Sequence, residues 1–405
     1  MAIMTDIPAL PVRRTPPHIL TLVALVGVST LSMNIFLPSL PAMAAWYGTD
    51  YATMQLAVPV YLWTSGLLQV MIGPLSDRFG RRPVLLSGLA VFMVATLGCL
   101  MAPTVGTFLA FRVVQAGIVT AMVLSRAIVR DLYSQDKAAS MLGYVTMGMS
   151  VFPMIGPIIG GQLEFYFGWQ SNFAVLLVAG ALLFLLAWRD LGETAPNLGA
   201  PFRDQFRAYP ELLRSPRFWG YCLASAFASG AFFAYLGGAP YVGATLFGMD
   251  PATLGLYFGA PAVGYFAGNF VSGRFSQQVG VDRMVLGGAI LQASGLAALV
   301  TLTLSGLTGP NVFFGFMVFL GLGNGMVIPN ATAGMLSVRP AIAGAASGLG
   351  GATMICGGAA LAMLAGPLLV GADTALPLEL LMLSSGLASV AAIALTVRRN
   401  RRRGL

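Results

Sequence analysis

The stretch GPLSDRFGRR, residues 73–82, separates two apolar runs, Tyr51–Gly73 and Pro83–Ala102. Each run has the length of about 20 residues that an α-helix needs to cross the hydrocarbon core of a bilayer. The stretch itself carries three arginines and one aspartate. Because short segments rich in Lys and Arg stay in the cytoplasm, it predicts a pair of membrane helices joined on the cytoplasmic side.

The rest of the chain has the same character: 57% of its residues are hydrophobic, 9% are charged, and its mean hydropathy is +0.82. This composition is that of a membrane protein. The apolar runs do not alternate with polar residues as barrel strands do, so we expect helices. Twelve spans are predicted: Ile19–Leu40, Tyr51–Gly73, Pro83–Ala102, Val105–Leu124, Ala138–Gln162, Trp169–Trp188, Phe218–Gly238, Ala252–Ser272, Met284–Leu304, Val312–Ala333, Ile342–Leu364 and Ala375–Val397.

The charges predict the orientation of these spans. All but one of the 22 Lys and Arg residues fall on one side of the predicted membrane, while Asp50, Asp250 and Asp373 fall in loops on the other. We therefore expect a multi-pass protein of the bacterial inner membrane with both termini in the cytoplasm. The net charge of +8 reflects this bias and a basic tail that would rest on anionic lipid, so no nucleic-acid partner is expected. The first apolar run is too long for a signal peptide and is expected to remain in the protein.

The chain divides into two halves that resemble each other. Residues 189–217 form the longest polar stretch and are predicted to be a cytoplasmic linker between six-helix halves at 1–188 and 218–405. Gly73 and Gly80 recur two hundred positions later as Gly273 and Gly280. Paired six-helix repeats are typical of secondary transporters, whose substrate lies near the bilayer midplane between the halves.

Arg112 is the basic residue that falls inside a span. It lies about 10 Å from the predicted outer end of its helix, at 1.5 Å per residue, and one turn before Gln115. A charge at this depth is expensive and is usually functional. We expect it to face a central cavity and bind substrate or take part in proton coupling; a structural hydrogen bond to backbone carbonyls of a neighbouring helix is the alternative.

Three motifs resemble those of the major facilitator superfamily. Residues 73–82 match its signature Gly-x-Leu-x-Asp-Arg-x-Gly-Arg-Arg at every specified position, and Arg112, Gln115 and Gly117 resemble its second motif. GPIIGG, residues 156–161, resembles the motif that marks exporters. Residues 34–38, 125–133 and 232–235 narrow the resemblance to the Bcr/CflA drug-resistance branch.

The resemblance implies the superfamily fold, all-α with two pseudo-symmetric six-helix halves, and two groups of functional residues. A conformational latch on the cytoplasmic side would comprise Gly73, Asp77, Arg78, Gly80, Arg81, Arg126, Arg130 and Asp131. A helix bend with close packing would comprise Gly156, Pro157, Gly160 and Gly161.

Polar and aromatic side chains near the middle of the spans are the candidates for the substrate site. They are Asn34, Tyr61, Arg112, Gln115, Phe233, Tyr235, Tyr257, Asn269 and Asn324, with Phe36 and Tyr265 nearby. A cavity with one arginine and no carboxylate at mid-depth suits neutral or weakly anionic amphiphiles.

The branch typically has an aspartate, a candidate proton carrier, where this chain has Asn34. Asparagine does not titrate, so proton coupling would need another group. The candidates are Glu164 and Glu379 near the predicted outer ends of spans and Asp131 at the inner surface.

The sequence thus predicts a monomeric transporter that exports small amphiphilic drugs of the chloramphenicol and bicyclomycin type. The mechanism would be proton antiport with alternating access, so that H⁺ is the second partner. The alternative is an importer or facilitator of a small metabolite without proton coupling. An enzyme or channel is not expected, since the spans show neither a nucleophile–base pair nor repeated polar rings. A single histidine and three scattered cysteines argue against a metal or cofactor.

Overall fold

A computed structural model of the chain describes residues 17–133, 135–195, 209–339 and 342–402, and the regular structure in these ranges is helical. The helices are α1 (Ile19–Asn34), α2 (Leu40–Trp46), α3 (Tyr51–Gln55), α4 (Ala57–Phe79), α5 (Arg81–Met101), α6 (Val105–Gln115), α7 (Val119–Leu132), α8 (Gln135–Phe167), α9 (Gln170–Asp190), α10 (Tyr209–Leu213), α11 (Pro216–Tyr241), α12 (Pro251–Tyr257), α13 (Ala260–Val279), α14 (Val281–Leu304), α15 (Pro310–Val338), α16 (Ala343–Leu369) and α17 (Leu376–Arg402). Residues 196–208 of the predicted linker, the first 16 residues and the last three of the basic tail lie outside the described residues.

Ten helical segments among the described residues are long and apolar enough to cross a membrane. The first runs from Ile19 to Trp46 and the last from Leu376 to Arg401. Two other predicted spans correspond to α8 and to α12 with α13, which are helical but are not among these ten. The structure therefore establishes an all-helical protein rich in membrane-spanning candidates.

The connections are shorter than the sequence predicts, because the helices continue beyond the apolar runs. Residues 73–79 are the last turns of α4, and α5 begins at Arg81. Gly80 is the one residue between them, with a φ of 101° that disfavours any residue with a Cβ. Arg126, Arg130 and Asp131 likewise lie on α7, not in a loop. Long polar side chains reach out of the lipid from a helix end, so the backbone can stay helical where charge begins.

Two of the long helical segments are interrupted where candidate residues lie. The first has a 3₁₀ turn at Leu37–Ser39, directly after Asn34 and Phe36. The fourth has a 3₁₀ turn at Ala116–Ile118, directly after Gln115. Tightened turns of this kind within longer helices often mark functional sites or strained sequence.

The repeat seen in the sequence is also seen in the backbone. Gly80 and Gly280 adopt nearly the same conformation, with φ of 101° and 88° and ψ of 151° and 150°. Each ends one helix by bonding to a serine carbonyl four residues earlier and precedes the next helix.

The start of α3 is matched by the start of α12. Asp50 and Asp250 both accept a 2.9 Å hydrogen bond from the backbone N–H of the threonine three residues on, Thr53 and Thr253. These side-chain and backbone hydrogen bonds hold the pKa of both exposed carboxyls below the usual range. The same sequence pattern therefore builds the same helix start two hundred positions apart.

Candidate functional site

Arg112 is fully buried and lies against two aromatic rings. Its guanidinium carbon is 4.4 Å from the centroid of the Phe36 ring and 4.4 Å from that of the Tyr61 ring. These distances allow cation–π attraction with both rings, which is stronger where water is excluded. Phe36 directly precedes the 3₁₀ turn after α1, Tyr61 lies in the first half of α4 and Arg112 lies on α6, so three separate segments form this cage.

Polar groups complete the surroundings of the cation. Arg112 donates to the carbonyls of Ala57 and Ser32, each at 3.4 Å, and to the side-chain oxygen of Gln115. Gln115 in turn donates a 2.8 Å hydrogen bond to the hydroxyl of Thr96 on α5. Thr96 carries no signal in the sequence, because nothing there indicates that its helix face meets Gln115.

No carboxylate of the described residues lies within salt-bridge distance of Arg112. Arginine stays protonated in proteins, so the site holds a buried charge whose neutralisation rests on dipoles and rings alone. One guanidinium nitrogen, Nη2, is buried without a hydrogen-bond partner, as is the hydroxyl of Ser32. Unpaired donors of this kind are costly and are often found where a ligand or water completes the bonding.

Asn34 is also buried, and neither its amide oxygen nor its amide nitrogen has a partner. It faces α8, where a methyl group at Gly156 would lie 3.7 Å from its Cβ. The structure therefore brings Tyr61, Arg112 and Gln115 together and places the Cβ of Asn34 against Gly156 of the predicted exporter motif.

The candidates from the second half of the chain do not join this cluster. Tyr235 is fully buried among Phe258, Phe313 and other rings, and its hydroxyl has no partner. Phe233 packs on the backbone of Gly358. The hydroxyl of Tyr257 lies in an exposed hydrogen bond to Asn311, 2.6 Å long.

The two asparagines of the second half differ from each other. Asn269 donates a 2.8 Å hydrogen bond to the carbonyl of Tyr265 in its own helix. Asn324 is buried with its side-chain oxygen unpaired. Asn324 and Tyr235 are thus the members of this group that keep an unused polar atom inside the protein.

The glycines of the predicted exporter motif allow close approach on two sides of α8. A Cβ at Gly160 would overlap the carbonyl oxygen of Ile35, next to Asn34. A Cβ at Gly161 would overlap the carbonyl oxygen of Pro251, and one at Gly255 would overlap that of Pro157. The motif therefore joins α1 on one side to α12, from the second half of the chain, on the other.

Two polar side chains of the first half donate hydrogen bonds to backbone carbonyls of the second half. Tyr51 donates a 2.7 Å hydrogen bond to the carbonyl of Gly237, and Gln55 donates one of 2.5 Å to that of Ala362. A Cβ at Gly237 or Gly366 would overlap the amide of Gln55. Neither side chain is predicted from the sequence, where a glutamine near the start of an apolar run was the available signal.

The predicted latch residues form a network at the other end of α4 from Tyr51 and Gln55. Arg81 bonds to Asp77 at 2.5 Å and to Asp131 at 3.0 Å, joining α4, α5 and α7. Glu193 accepts hydrogen bonds of 2.8 and 3.2 Å from the backbone N–H groups of Arg81 and Arg82. Acidic side chains at a helix N-terminus are stabilising, so Glu193 caps α5, a role that is not predicted from the sequence.

The remaining latch residues lie around this network. Arg78 is on the last turn of α4, and Arg130 is exposed on the last turn of α7. Arg126 lies one turn earlier on α7. A Cβ at Gly73 would meet no atom within 4 Å.

The three carboxylates predicted for proton coupling have different surroundings. Asp131 is held by Arg81. Glu164 lies on α8 one turn beyond Gly161, with one buried carboxylate oxygen that has no partner. Glu379 is buried at the start of α17, where it accepts a 3.0 Å hydrogen bond from Thr303.

Comparisons with known proteins agree on a family. The model of the Major Facilitator Superfamily matches residues 22–363. The chloramphenicol resistance protein of Pseudomonas aeruginosa is 31% identical over 323 residues, which cover 78% of this chain and 76% of that protein. Multidrug resistance protein D of Escherichia coli (strain K12) is 30% identical over 357 residues, covering 85% of this chain and 87% of that protein.

A solved structure supports the fold. The D-xylose-proton symporter superposes on this chain with a TM-score of 0.74 at 17% sequence identity, covering 93% of this chain and 96% of that one. At that level of identity the likeness concerns the arrangement of the helices alone.

Proposed function

This chain belongs to the major facilitator superfamily, among its drug-resistance transporters, and we propose that it exports small amphiphilic drugs across the bacterial inner membrane. Membership of this family indicates a transporter and not an enzyme. The names of the relatives point to chloramphenicol and similar antibiotics as the class of substrate.

The observation that carries this proposal is the buried Arg112, which has an unpaired N–H and no carboxylate of the described residues within salt-bridge distance. An anionic or strongly acceptor-bearing neutral molecule would complete its bonding, whereas a cation would be repelled. The rings of Phe36 and Tyr61 offer apolar surface beside it. Amphiphiles with nitro, carbonyl or hydroxyl acceptors fit this combination.

We place twelve helices across the membrane with both termini in the cytoplasm, as the distribution of Lys and Arg predicts. In this orientation the bonds of Tyr51 and Gln55 close the periplasmic side, and the network around Arg81 lies on the cytoplasmic side. The two six-helix halves would rock about the contact between Gly161 and Gly255 to expose the site alternately.

Export would be driven by proton exchange, with Glu164 as the carboxylate that fits this role best. It lies on the helix that carries the exporter motif, close to the contact between the halves, and has a buried oxygen free to hold a proton. Asp131 is already paired with Arg81, and Glu379 lies in the second half beside Thr303. The alternative, a facilitator without coupling, rests on the absence of a titrating group at position 34.

The test is drug tolerance of a pump-deficient bacterium that expresses this chain. We expect a several-fold rise in the minimal inhibitory concentration of chloramphenicol or bicyclomycin. Hypersensitivity would indicate import, and no change over a broad panel would indicate a metabolite substrate. In proteoliposomes, a pH gradient should accelerate drug movement, and Glu164→Gln should remove that acceleration; equal rates with and without the gradient would reject coupling.

A further inference from the structure

A cleft of about 170 Å³ opens among the C-terminal helices, on the side of the protein away from the chain end. It lies where α14 ends, where α15 and α17 begin, and beside the π-helical turn Val242–Leu246 that follows α11. Its lining includes Glu379, Asp373, Thr303, Thr308, Phe247 and Phe313. The cleft shares no lining residue with the cage around Arg112.

Glu379 gives this cleft its chemistry. The residue is 1% exposed, and its Oε1 atom accepts a 3.0 Å hydrogen bond from the hydroxyl of Thr303. Its Oε2 atom is buried and has no hydrogen-bond partner. An ionised carboxylate oxygen in this situation is costly unless a donor or a cation reaches it, so the cleft presents a strong unused acceptor.

The other polar groups of the cleft also favour a ligand that is positively charged or donates hydrogen bonds. Asp373 is exposed beside Glu379 and adds a second carboxylate. The hydroxyls of Thr303 and Thr308 can accept hydrogen bonds as well as donate them. No Lys, Arg or His is among the described residues that line the cleft. The surroundings therefore attract positive charge and repel anions.

The volume and the aromatic lining of the cleft favour an organic ammonium over a bare metal ion. A water molecule takes about 30 Å³ in the liquid, so a bare metal ion would occupy only a small part of this space. Phe247 and Phe313 have ring centroids 6.1 Å apart and add apolar surface to the lining that also holds the carboxylates. A primary ammonium on a short apolar chain uses both features, since it has three donors for oxygen atoms and gains from nearby rings.

We propose that this cleft binds the primary ammonium group of a small amphiphilic amine, with Glu379 Oε2 as its main acceptor and Asp373 at the mouth. The ammonium can belong to a free amine or to the ethanolamine headgroup of a phospholipid, because Thr308 and Asp373 lie in surface loops at the end of the helices. The site is independent of drug export through the Arg112 region, and its test needs no transport.

The test measures thermal unfolding of the full chain in nanodiscs of phosphatidylcholine, whose quaternary headgroup has no N–H donors. Butylammonium chloride is added in increasing concentration, with 1-butanol as the neutral analogue and sodium and calcium chloride as inorganic cations. A ligand that binds the folded state raises Tm with its concentration. We expect butylammonium to raise Tm and 1-butanol and the inorganic salts to have no comparable effect.

Variants assign the effect to the cleft. Glu379→Gln should weaken butylammonium binding about tenfold or more, because the charged acceptor is lost. Asp373→Asn lies in an exposed loop and should weaken binding by a smaller factor without harming the fold. Asp50→Asn is the matched control: it changes an exposed carboxylate of the first half, and asparagine is an equally good helix cap.

The proposal would be overturned if butylammonium caused no Tm shift. It would also be overturned if Glu379→Gln and Asp373→Asn showed the same shift as the unaltered protein. A shift with sodium or calcium and none with butylammonium would overturn the class of ligand. Adding phosphatidylethanolamine to the nanodiscs separates the two sources of the ammonium. A rise in Tm that depends on Glu379 and competes with butylammonium identifies the lipid, and a Glu379-dependent shift with butylammonium alone identifies a free amine.

Discussion

The guanidinium of Arg112 lies over the face of Tyr61, with its carbon 4.4 Å from the ring centroid. The two residues come from α6 and α4, and neither has a carboxylate of the described residues close enough to neutralise the cation. Any movement of α4 against α6 would change how well the charge is compensated. A ligand that supplies an acceptor would therefore bind in a way that depends on conformation, as the proposed alternating access requires.

Replacing Arg112 by lysine keeps the charge and removes the planar fork. Lysine has no planar group that can stack on Phe36 and Tyr61 while bonding to Gln115, so we expect drug tolerance to fall close to that of cells without the protein. The measurement is the minimal inhibitory concentration, alongside membrane expression. Arg274→Lys, at an exposed arginine of α13, is the control and should behave like the unaltered protein. Full tolerance with Arg112→Lys would show that charge alone suffices.

The hydrogen bond from Gln55 to Ala362 should hold the two halves together on the predicted periplasmic side. Gln55→Leu keeps the volume and loses the bond, at a cost of about 1 kcal/mol, which corresponds to a population shift of roughly fivefold. Spin labels at the exposed Trp46 and Val370 would report longer distances in this variant. Gln278→Leu, at an exposed position on α13, should leave the distances unchanged. Identical distributions in both variants would count against this bond as part of the closure.

Gly161→Ala should prevent the close approach of α8 to α12. The added methyl group would overlap the carbonyl oxygen of Pro251, which is backbone and cannot rotate away. We expect at least a tenfold loss of drug efflux from intact cells, measured as retention of a labelled substrate. Gly315→Ala is the matched control, because a Cβ there meets no atom within 4 Å. Wild-type efflux by Gly161→Ala would mean that the two helices do not need to touch.

Gly80→Ala and Gly280→Ala should both destabilise the protein, by unequal amounts. Both glycines have positive φ, which costs a residue with a Cβ roughly 1–3 kcal/mol. A Cβ at Gly80 would in addition collide with the carboxylate of Glu193, whereas one at Gly280 would meet no atom within 4 Å. Thermal unfolding in detergent should show a larger drop in Tm for Gly80→Ala. A larger drop for Gly280→Ala would contradict the capping role of Glu193.

The features that sequence could predict depend on local chemistry. The length of the apolar runs and the side on which arginines fall need no tertiary information, and they made Arg112 stand out. The likeness to drug-resistance transporters, read from three short motifs, is confirmed by the family model and the relatives. The turn at Gly80 was also foreseeable, since only glycine adopts that backbone conformation readily.

The features that sequence could not predict depend on which helix faces meet. Asn34 and Arg112 belong to one list of polar residues at mid-depth, yet Asn34 faces Gly156 and Arg112 faces Tyr61. Helix rotation decides this, and apolar runs with little amphipathic pattern do not encode it visibly. Glu193 was missed for a different reason: it follows the last predicted span of the first half and caps a helix more than one hundred residues earlier.

The most direct measurement is chloramphenicol transport by purified protein in proteoliposomes, comparing the unaltered chain with Arg112→Ala at equal incorporation. We predict drug movement driven by an imposed pH gradient with the unaltered chain and none above the empty-liposome rate with the variant. Transport by Arg112→Ala at the unaltered rate would contradict the role assigned to the buried guanidinium.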